Sequence, residues 1–188
     1  MKNLKFKKMF SNFHCYAFLV LIIMAAGGFI FWTNSCGKVN YNIVNNDLLI
    51  KNQTQQAVSM LETVYEGSVD GMYSFDQAKK MGADLLRNLR YGDQKEGYFW
   101  ADTSDGTNVV LYGRTDVEGK NRINSLVNGV YHVREIIANG KKPGGGFTDY
   151  FFTKKDGDVP LAKRGFSLYF EPFDWIIGTG YYLEDLSQ

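Results

Sequence analysis

Residues 97–102 read GYFWAD, and four similar runs follow at 108–113 (NVVLYG), 144–152 (GGGFTDYFF), 163–170 (KRGFSLYF) and 175–182 (WIIGTGYY). Polar and glycine-containing stretches separate these runs. Short runs rich in aromatic and β-branched residues, broken in this way, are typical of antiparallel strands. The sequence therefore predicts a five-stranded antiparallel sheet between 97 and 182.

The segment before the sheet has the pattern of a long amphipathic helix. Residues 42–73 contain no proline. Apolar or small side chains recur at steps of four and three, at Ile50, Thr54, Ala57, Leu61 and Val64. That spacing puts them on one helical face. The prediction is an α+β fold in which this helix packs on the sheet. The helix can also meet a copy of itself, so a homodimer is one option.

Two shorter helices and one long polar loop complete the predicted domain. Ser74 with Gln77 three residues later forms a plausible capping box, and Ala78, Met81, Leu85 and Leu89 form the predicted inner face. Residues 113–129 are polar, and a loop of that length in a small domain is usually functional or mobile. Residues 130–139 predict a short helix with its inner side chains at Val130, Val133, Ile136 and Ile137.

The N-terminal run predicts a membrane anchor. Residues 16–32 carry no charge, and the dense cluster of lysines near them, Lys2, Lys5, Lys7 and Lys8, lies on the N-terminal side. By the positive-inside rule, 1–12 is cytoplasmic, 13–34 is a transmembrane helix and 35–188 is an extracytoplasmic domain of a single-pass cell-membrane protein. A cleaved signal peptide is the alternative, and it leaves the domain outside the membrane as well.

Composition and motifs argue against several classes of function. The formal net charge of +1, with no basic stripe among the aromatics, gives no reason to propose nucleic-acid binding. His132, with Glu135 nearby, is the only histidine of the predicted domain and is expected to be a partly exposed helix residue. One histidine and one acid are too few for a zinc site or a catalytic triad. The sequence therefore predicts no enzyme, no metal and no cofactor.

A binding surface is the functional interpretation that remains. Five aromatic residues share one sheet face if the strands pair in sequence order: Tyr98, Trp100, Tyr112, Tyr150 and Phe152. Arg114 and Arg122 lie in the polar loop that crosses this face. A guanidinium over an aromatic pocket suits a small carboxylate, because its donors form two parallel hydrogen bonds. The alternative is that the aromatics are only core and both arginines are solvated.

Several motifs, taken in order, resemble the single Cache domain family of bacterial chemoreceptors and sensor histidine kinases. They are 97–102, 119–121 (GKN), 128–129 (NG), 145–150 and 173–181 (FDWIIGTGY). The resemblance implies a long helix on a PAS-like sheet, a pocket for small ligands such as short organic acids, and no catalysis. Many members have His-Pro where this chain has Tyr112-Gly113, and Tyr-x-Trp where it has Tyr150-Phe151-Phe152. These departures leave the identity of the ligand open.

Two hypotheses of function follow from these patterns. In the first, the chain is an anchored sensor domain that binds a small solute and relays the signal through a partner or an output domain. In the second, it is a structural or interaction module without a ligand, whose long helix docks on another membrane receptor. The volume of the pocket separates the two, because a collapsed core favours the second.

Overall fold

The computed structural model describes residues 35–155 and 157–187. Within this part of the chain, the α-helices are α1 (Ser35–Val69), α2 (Phe75–Asn88) and α3 (His132–Gly140). The strands are β1 (Arg90–Tyr91), β2 (Gly97–Tyr98), β3 (Trp100–Thr103), β4 (Asn108–Leu111), β5 (Gly146–Thr153), β6 (Pro160–Phe170) and β7 (Trp175–Tyr182). Short 3-10 helices cover Thr115–Val117, Glu171–Phe173 and Leu183–Ser187.

Strands β3 to β7 form a five-stranded antiparallel sheet in the order β4-β3-β7-β6-β5. This confirms the α+β fold with a five-stranded antiparallel sheet. The first predicted strand, 97–102, is divided at Phe99. Its beginning, β2, pairs with β1 in a separate two-stranded ribbon. The sequence did not reveal this ribbon, because a two-residue strand has too little alternation to be recognised.

The helix α1 packs on the sheet through the predicted face. Its side chains at four of the predicted positions are at most 1% exposed: Ile50, Thr54, Ala57 and Leu61. The helix lies across β6 and β7 and ends at Val69. Gly71 follows with a φ of +75°, a conformation that favours glycine. The chain then turns into α2, whose capping box of Ser74 and Gln77 is present as predicted.

The inner face of α2 agrees with the predicted one at Ala78, which is buried, and at Leu85 and Leu89, which pack against the core, but not at Met81. Met81 is 44% exposed, whereas Gly82 and Leu86 are buried. The reason is close packing against α1, because a Cβ atom at Gly82 would lie 2.9 Å from Leu61 Cδ2. Glycine therefore lets the two helices approach, and Gly82 takes the buried position predicted for Met81.

The two faces of the sheet carry separate cores. On one face, α1 and α2 cover a core that includes Leu61, Phe99, Phe173, Trp175 and Ile177. On the other face, α3 covers a core that includes Trp100, Val133, Ile136, Tyr150 and Ile176. Neighbours in a strand point to opposite faces, so Phe99 and Trp100 belong to different cores. The second core, beneath α3, contains the candidate site.

Among the described helices, none has the length and hydropathy of a membrane-spanning segment. The predicted transmembrane helix, 13–34, and the predicted cytoplasmic segment, 1–12, lie outside the described residues.

Gly178 in β7 provides a test of the packing beneath the site. It pairs with Trp100, and a Cβ atom there would lie 2.5 Å from Trp100 Cζ2 and 2.7 Å from the carbonyl oxygen of Phe166. We expect Gly178→Ala to lower the free energy of unfolding by about 1–3 kcal/mol in urea denaturation, because the indole or the strand must move. Gly157→Ala is the control, since its nearest neighbour would be 3.4 Å away. Equal stability of the two variants would contradict this packing.

Candidate functional site

A small cavity lies between α3, the loop before it and the sheet. It offers about 10 Å³ to the centre of a water-sized sphere, which is room for about one water molecule. Its walls combine aromatic rings with charged and polar groups: Tyr98, Trp100, Asp102, Leu111, Arg122, His132, Ile136, Tyr150, Phe152 and Lys163.

Asp102 and Arg122 form a buried ion pair on one wall. The Arg122 Nη2 group donates to Asp102 Oδ1 at 2.8 Å, and the side-chain exposures are 12% and 0%. Asn108 Nδ2 donates to the same oxygen at 2.9 Å. Burial raises the pKa of the Asp102 carboxyl, and although Arg122 and Asn108 lower it, the net pKa is above its usual value.

The hairpin between β3 and β4 positions Arg122. Gly106, in the predicted Asp105-Gly106 turn, has a φ of +92° and accepts a hydrogen bond from the Arg122 backbone at 2.8 Å. Asn121 Nδ2 donates to the Asp105 carbonyl at 2.9 Å. The long polar loop is therefore fastened to the hairpin next to Arg122, and the guanidinium is directed inward.

Lys163 supplies a second buried cation. The residue is 1% exposed, and its ammonium donates to Tyr98 Oη at 2.6 Å. Its Nζ lies 4.3–5.6 Å from the centroids of four aromatic rings, those of Tyr98, Trp100, Phe152 and Tyr182. Cation–π attraction to these rings stabilises a positive charge on Nζ. Burial by itself raises the pKa of the Tyr98 phenol, but the charge and hydrogen bond of Lys163 outweigh it, so the net pKa is lowered.

His132 is buried in the wall of the cavity, which corrects the expectation that it is partly exposed. It is 3% exposed, and its ring stacks on Tyr150 with centroids 5.8 Å apart and planes 10° from parallel. Burial, assisted by the charge of Arg122, lowers the pKa of His132 from 6.5 to about 4. The imidazole is therefore neutral at pH 7.

Five buried polar atoms on the cavity-lining residues have no hydrogen-bond partner within the protein. They are Trp100 Nε1, Asp102 Oδ2, Arg122 Nε, His132 Nδ1 and His132 Nε2. Unpaired buried polar groups cost about 1–3 kcal/mol each, so such a cluster requires an explanation. Two of the atoms are N–H donors in every protonation state, and His132 adds a third donor. The other two atoms, Asp102 Oδ2 and the second ring nitrogen of His132, are acceptors. The three donors are suited to bind a small molecule with acceptor oxygens.

The structure brings five of the seven predicted site residues to this cavity: Tyr98, Trp100, Arg122, Tyr150 and Phe152. Tyr112 lies outside it because the register pairs Leu111, rather than Tyr112, with Trp100. The Tyr112 ring is instead in contact with Arg90, 3.8 Å away, and borders a separate groove. Arg114 is 47% exposed and is paired with Asp116. Neither Tyr112 nor Arg114 lines the cavity, although the Tyr112 ring lies 5.4 Å from the ring of Tyr98, which does.

Three charged or titratable residues of the cavity were not predicted: Asp102, His132 and Lys163. Asp102 and Lys163 stand in strands at positions that alternate with core residues, at 0% and 1% exposure. A charged residue at an inward position of a strand is the signal that was available for both, because such residues are rarely buried without a reason. Within the described part of the chain, no group of three or more potential metal ligands is present.

The chain belongs to the single Cache domain family, because the family model single Cache domain 2 matches residues 43–188.

Two characterised relatives are signalling proteins. The sensor histidine kinase MctS of Rhizobium johnstonii is 32% identical over 178 residues, which cover 89% of this chain and 37% of the kinase. The methyl-accepting chemotaxis protein McpP of Pseudomonas putida is 25% identical over 125 residues, which cover 65% of this chain and 22% of that protein. The chain thus spans well under half the length of either relative.

Solved structures have the same fold. The periplasmic sensor domain of a chemotaxis protein matches with a TM-score of 0.70 and 24% identity, covering 74% of this chain and 96% of that one. A methyl-accepting chemotaxis protein from Vibrio parahaemolyticus matches with a TM-score of 0.69 and 25% identity, covering 80% of this chain and 97% of that one. A third structure is a Cache chemosensory domain, described as the structural basis for carboxylic acid recognition. It matches with a TM-score of 0.61 and 23% identity, covering 70% of this chain and 91% of that one.

Proposed function

We propose that the chain is a non-catalytic, extracytoplasmic sensor module that binds a short carboxylate anion in the cavity beneath α3. The observation that carries the proposal is the set of unpaired buried donors on Trp100, Arg122 and His132, beside a second buried cation at Lys163. A carboxylate offers two acceptor oxygens that match such donors, and charge-assisted hydrogen bonds to it are strong in a dry site. The solved Cache domain described for carboxylic acid recognition supports the same class of ligand.

The charges of the cavity favour an acid with one carboxylate. Among the residues that line the cavity, Arg122 and Lys163 are basic and Asp102 is acidic, so basic side chains outnumber acidic ones by one. One carboxylate balances that difference, whereas a dicarboxylate leaves an excess negative charge in a buried place, which is costly. The cavity is also small. An acid of a few carbons therefore has to displace the rings of Trp100, Tyr150 or Phe152 when it enters.

The module is proposed to be held at the cell membrane by the 13–34 segment and to signal through an output domain or a partner. The relatives, a sensor histidine kinase and a chemotaxis receptor, support this setting. A homodimer through α1 is compatible with the exposed apolar residues of that helix, Val44 and Leu48, at 64% and 57% exposure.

The small volume of the cavity is the observation that favours the second hypothesis, a module without a ligand. About 10 Å³ is what a packed core retains around one buried water. That hypothesis predicts that α1 docks on a membrane receptor and that no acid changes the stability of the chain. It leaves the unpaired donors of the cavity without a function.

Thermal melts of the full chain in detergent test the proposal. The panel contains acetate, propionate, butyrate, succinate, glycine and ethylamine. We expect a monocarboxylate at 100 times its dissociation constant to stabilise the fold by about 2.7 kcal/mol, because it binds the folded state alone. Succinate and ethylamine are expected to give no shift. A flat response to every compound would contradict the proposal.

Lys163→Met distinguishes the contribution of the positive charge to acid binding from that of the side-chain volume. We expect this variant to bind the best acid roughly 10- to 100-fold more weakly, because a charged hydrogen bond is worth about 1.5–3 kcal/mol, while methionine keeps the aliphatic volume. Lys155→Met is the matched control, since Lys155 Nζ lies over the ring of Tyr112 in the separate groove and not in the cavity. Titration calorimetry provides the affinities. Equal affinities for both variants would place the acid away from Lys163.

A further inference from the structure

We propose that Arg164 and Asp47 couple the cavity to α1, so that an anion received beside Lys163 changes how α1 is held on the sheet. This inference rests on the proposed function for its ligand-dependent part. Arg164 and Asp47 do not line the cavity. They act as positioning residues for the helix that leads from the predicted membrane anchor.

Two rows of side chains cross the same three strands on opposite faces of the sheet. Lys163 in β6 pairs with Tyr150 in β5 and with Tyr182 in β7. Lys163 and Tyr150 line the cavity, and the Tyr182 ring centroid lies 4.8 Å from Lys163 Nζ on the same face. The neighbouring row is Asp149, Arg164 and Tyr181. Because neighbours in a strand point to opposite faces, the second row faces α1. Each residue of one row is therefore covalently joined to a residue of the other.

The second row is bonded directly to α1 through Asp47. Arg164 donates to both oxygens of Asp47, from Nε at 2.8 Å and from Nη2 at 3.1 Å. Its Nη1 donates to the Asp149 carboxylate at 2.8 and 2.9 Å. Tyr181 Oη donates to Asp47 Oδ1 at 2.9 Å. One guanidinium thus joins a helix carboxylate to a strand carboxylate, and a planar fork of this kind tolerates little change in geometry.

The position of Asp47 in α1 makes this contact suitable for a relay. Asp47 lies in the N-terminal half of α1, on the side of the predicted anchor. Five residues before Asp47, Asn42 Nδ2 donates a hydrogen bond to the carbonyl of Leu186, which lies 144 residues further along the chain. We expect an acid that displaces the Tyr150 ring and draws the Lys163 ammonium away from Tyr98 to shift β5 and β6 at Asp149 and Arg164, the residues next to them in the chain. The hydrogen bonds from the Arg164 guanidinium to Asp47 then change in length relative to those to Asp149.

A double-mutant cycle tests the coupling without any ligand. Lys163→Met, Asp47→Asn and the double variant are compared by the loss in Tm of the full chain in detergent. Distant sites without shared partners give additive losses, so we expect the loss of the double variant to depart from the sum of the single losses. Asp84→Asn is the control partner, because Asp84 belongs to an exposed ion-pair cluster on α2, and its loss is expected to add to that of Lys163→Met. Additive losses for Asp47→Asn as well would overturn the coupling.

Hydrogen exchange measured with the best acid of the panel tests the relay itself. In the wild-type chain, the acid is expected to change amide exchange over residues 42–50 at least twofold. In Asp47→Asn, the acid is expected to bind within threefold of the wild-type affinity, but the change over 42–50 disappears. Acid binding without any change over 42–50 in the wild type, or with the same change in Asp47→Asn, would overturn the proposal. If no acid binds, the proposed function fails, and the ligand-free cycle alone decides the coupling.

Discussion

Arg122→Ala is expected to lower the free energy of unfolding by about 3–5 kcal/mol and to abolish the stabilisation by carboxylates. Asp102 is fully buried, and Arg122 is the cation with which it pairs. Without the guanidinium, the Asp102 carboxylate stays buried without a cation or takes up a proton. Both outcomes destabilise the fold at pH 7, because the pKa of Asp102 is already raised by burial. Urea denaturation of the full chain measures the loss.

Two further variants separate this account from a general effect of losing an arginine. Arg114→Ala removes an exposed arginine of the same loop, paired with Asp116, and should cost less than about 1 kcal/mol. Asp102→Asn added to Arg122→Ala removes the buried unpaired charge, so the double variant should be more stable than Arg122→Ala by about 1–3 kcal/mol. If Arg122→Ala and Arg114→Ala are equally stable, Arg122 is not a buried partner of Asp102.

The wild-type chain is expected to lose stability relative to His132→Gln as the pH falls from about 6.5 to about 4. In the folded chain, burial lowers the pKa of His132 from 6.5 to about 4. Between these values the unfolded chain takes up a proton on this histidine and the folded chain does not, so lower pH favours unfolding. The difference between the proteins amounts to at most about 3 kcal/mol, since one pKa unit corresponds to about 1.4 kcal/mol.

The comparison with His132→Gln isolates the histidine from the other titrating groups. Asp102 has a raised pKa, so the folded chain takes up a proton there earlier than the unfolded chain does. That contribution has the opposite sign, but it is present in both proteins and cancels to a first approximation. The measurement is urea denaturation at half-unit steps between pH 4 and pH 8. Parallel stability curves over that range would mean that His132 is not buried as a neutral ring.

The architecture could be predicted from the sequence because it depends on periodic patterns. The buried face of α1 follows the spacing of Ile50, Thr54, Ala57 and Leu61, which any amphipathic helix must show. The hairpin at Asp105-Gly106 follows from a glycine that adopts positive φ. These signals are local in the sequence, so they can be recognised without knowledge of the tertiary contacts.

The candidate site could be predicted only in part, because it depends on register and on charge burial. A register shift between Ala101 and Asp102 places Leu111, instead of Val110, across from Trp100. Because a one-residue difference moves every side chain beyond it to the other face, Tyr112 no longer shares the face of Trp100. Lysine is usually exposed and histidine is intermediate in its burial, so the residue types of Lys163 and His132 do not predict that either is buried. Their burial follows from strand pairing and from the packing of α3, which residue types alone do not reveal.

The central claim is that a carboxylate binds between Arg122, His132 and Lys163. A crystal structure of the chain, grown with the acid that gives the largest thermal shift, tests this most directly. The account predicts density for the acid in the cavity beneath α3, with a carboxylate oxygen about 3 Å from Arg122 Nε or Trp100 Nε1 and with at least one aromatic ring of the wall displaced. Acid found elsewhere, such as in the groove beside Tyr112, with the cavity side chains unmoved, would contradict it.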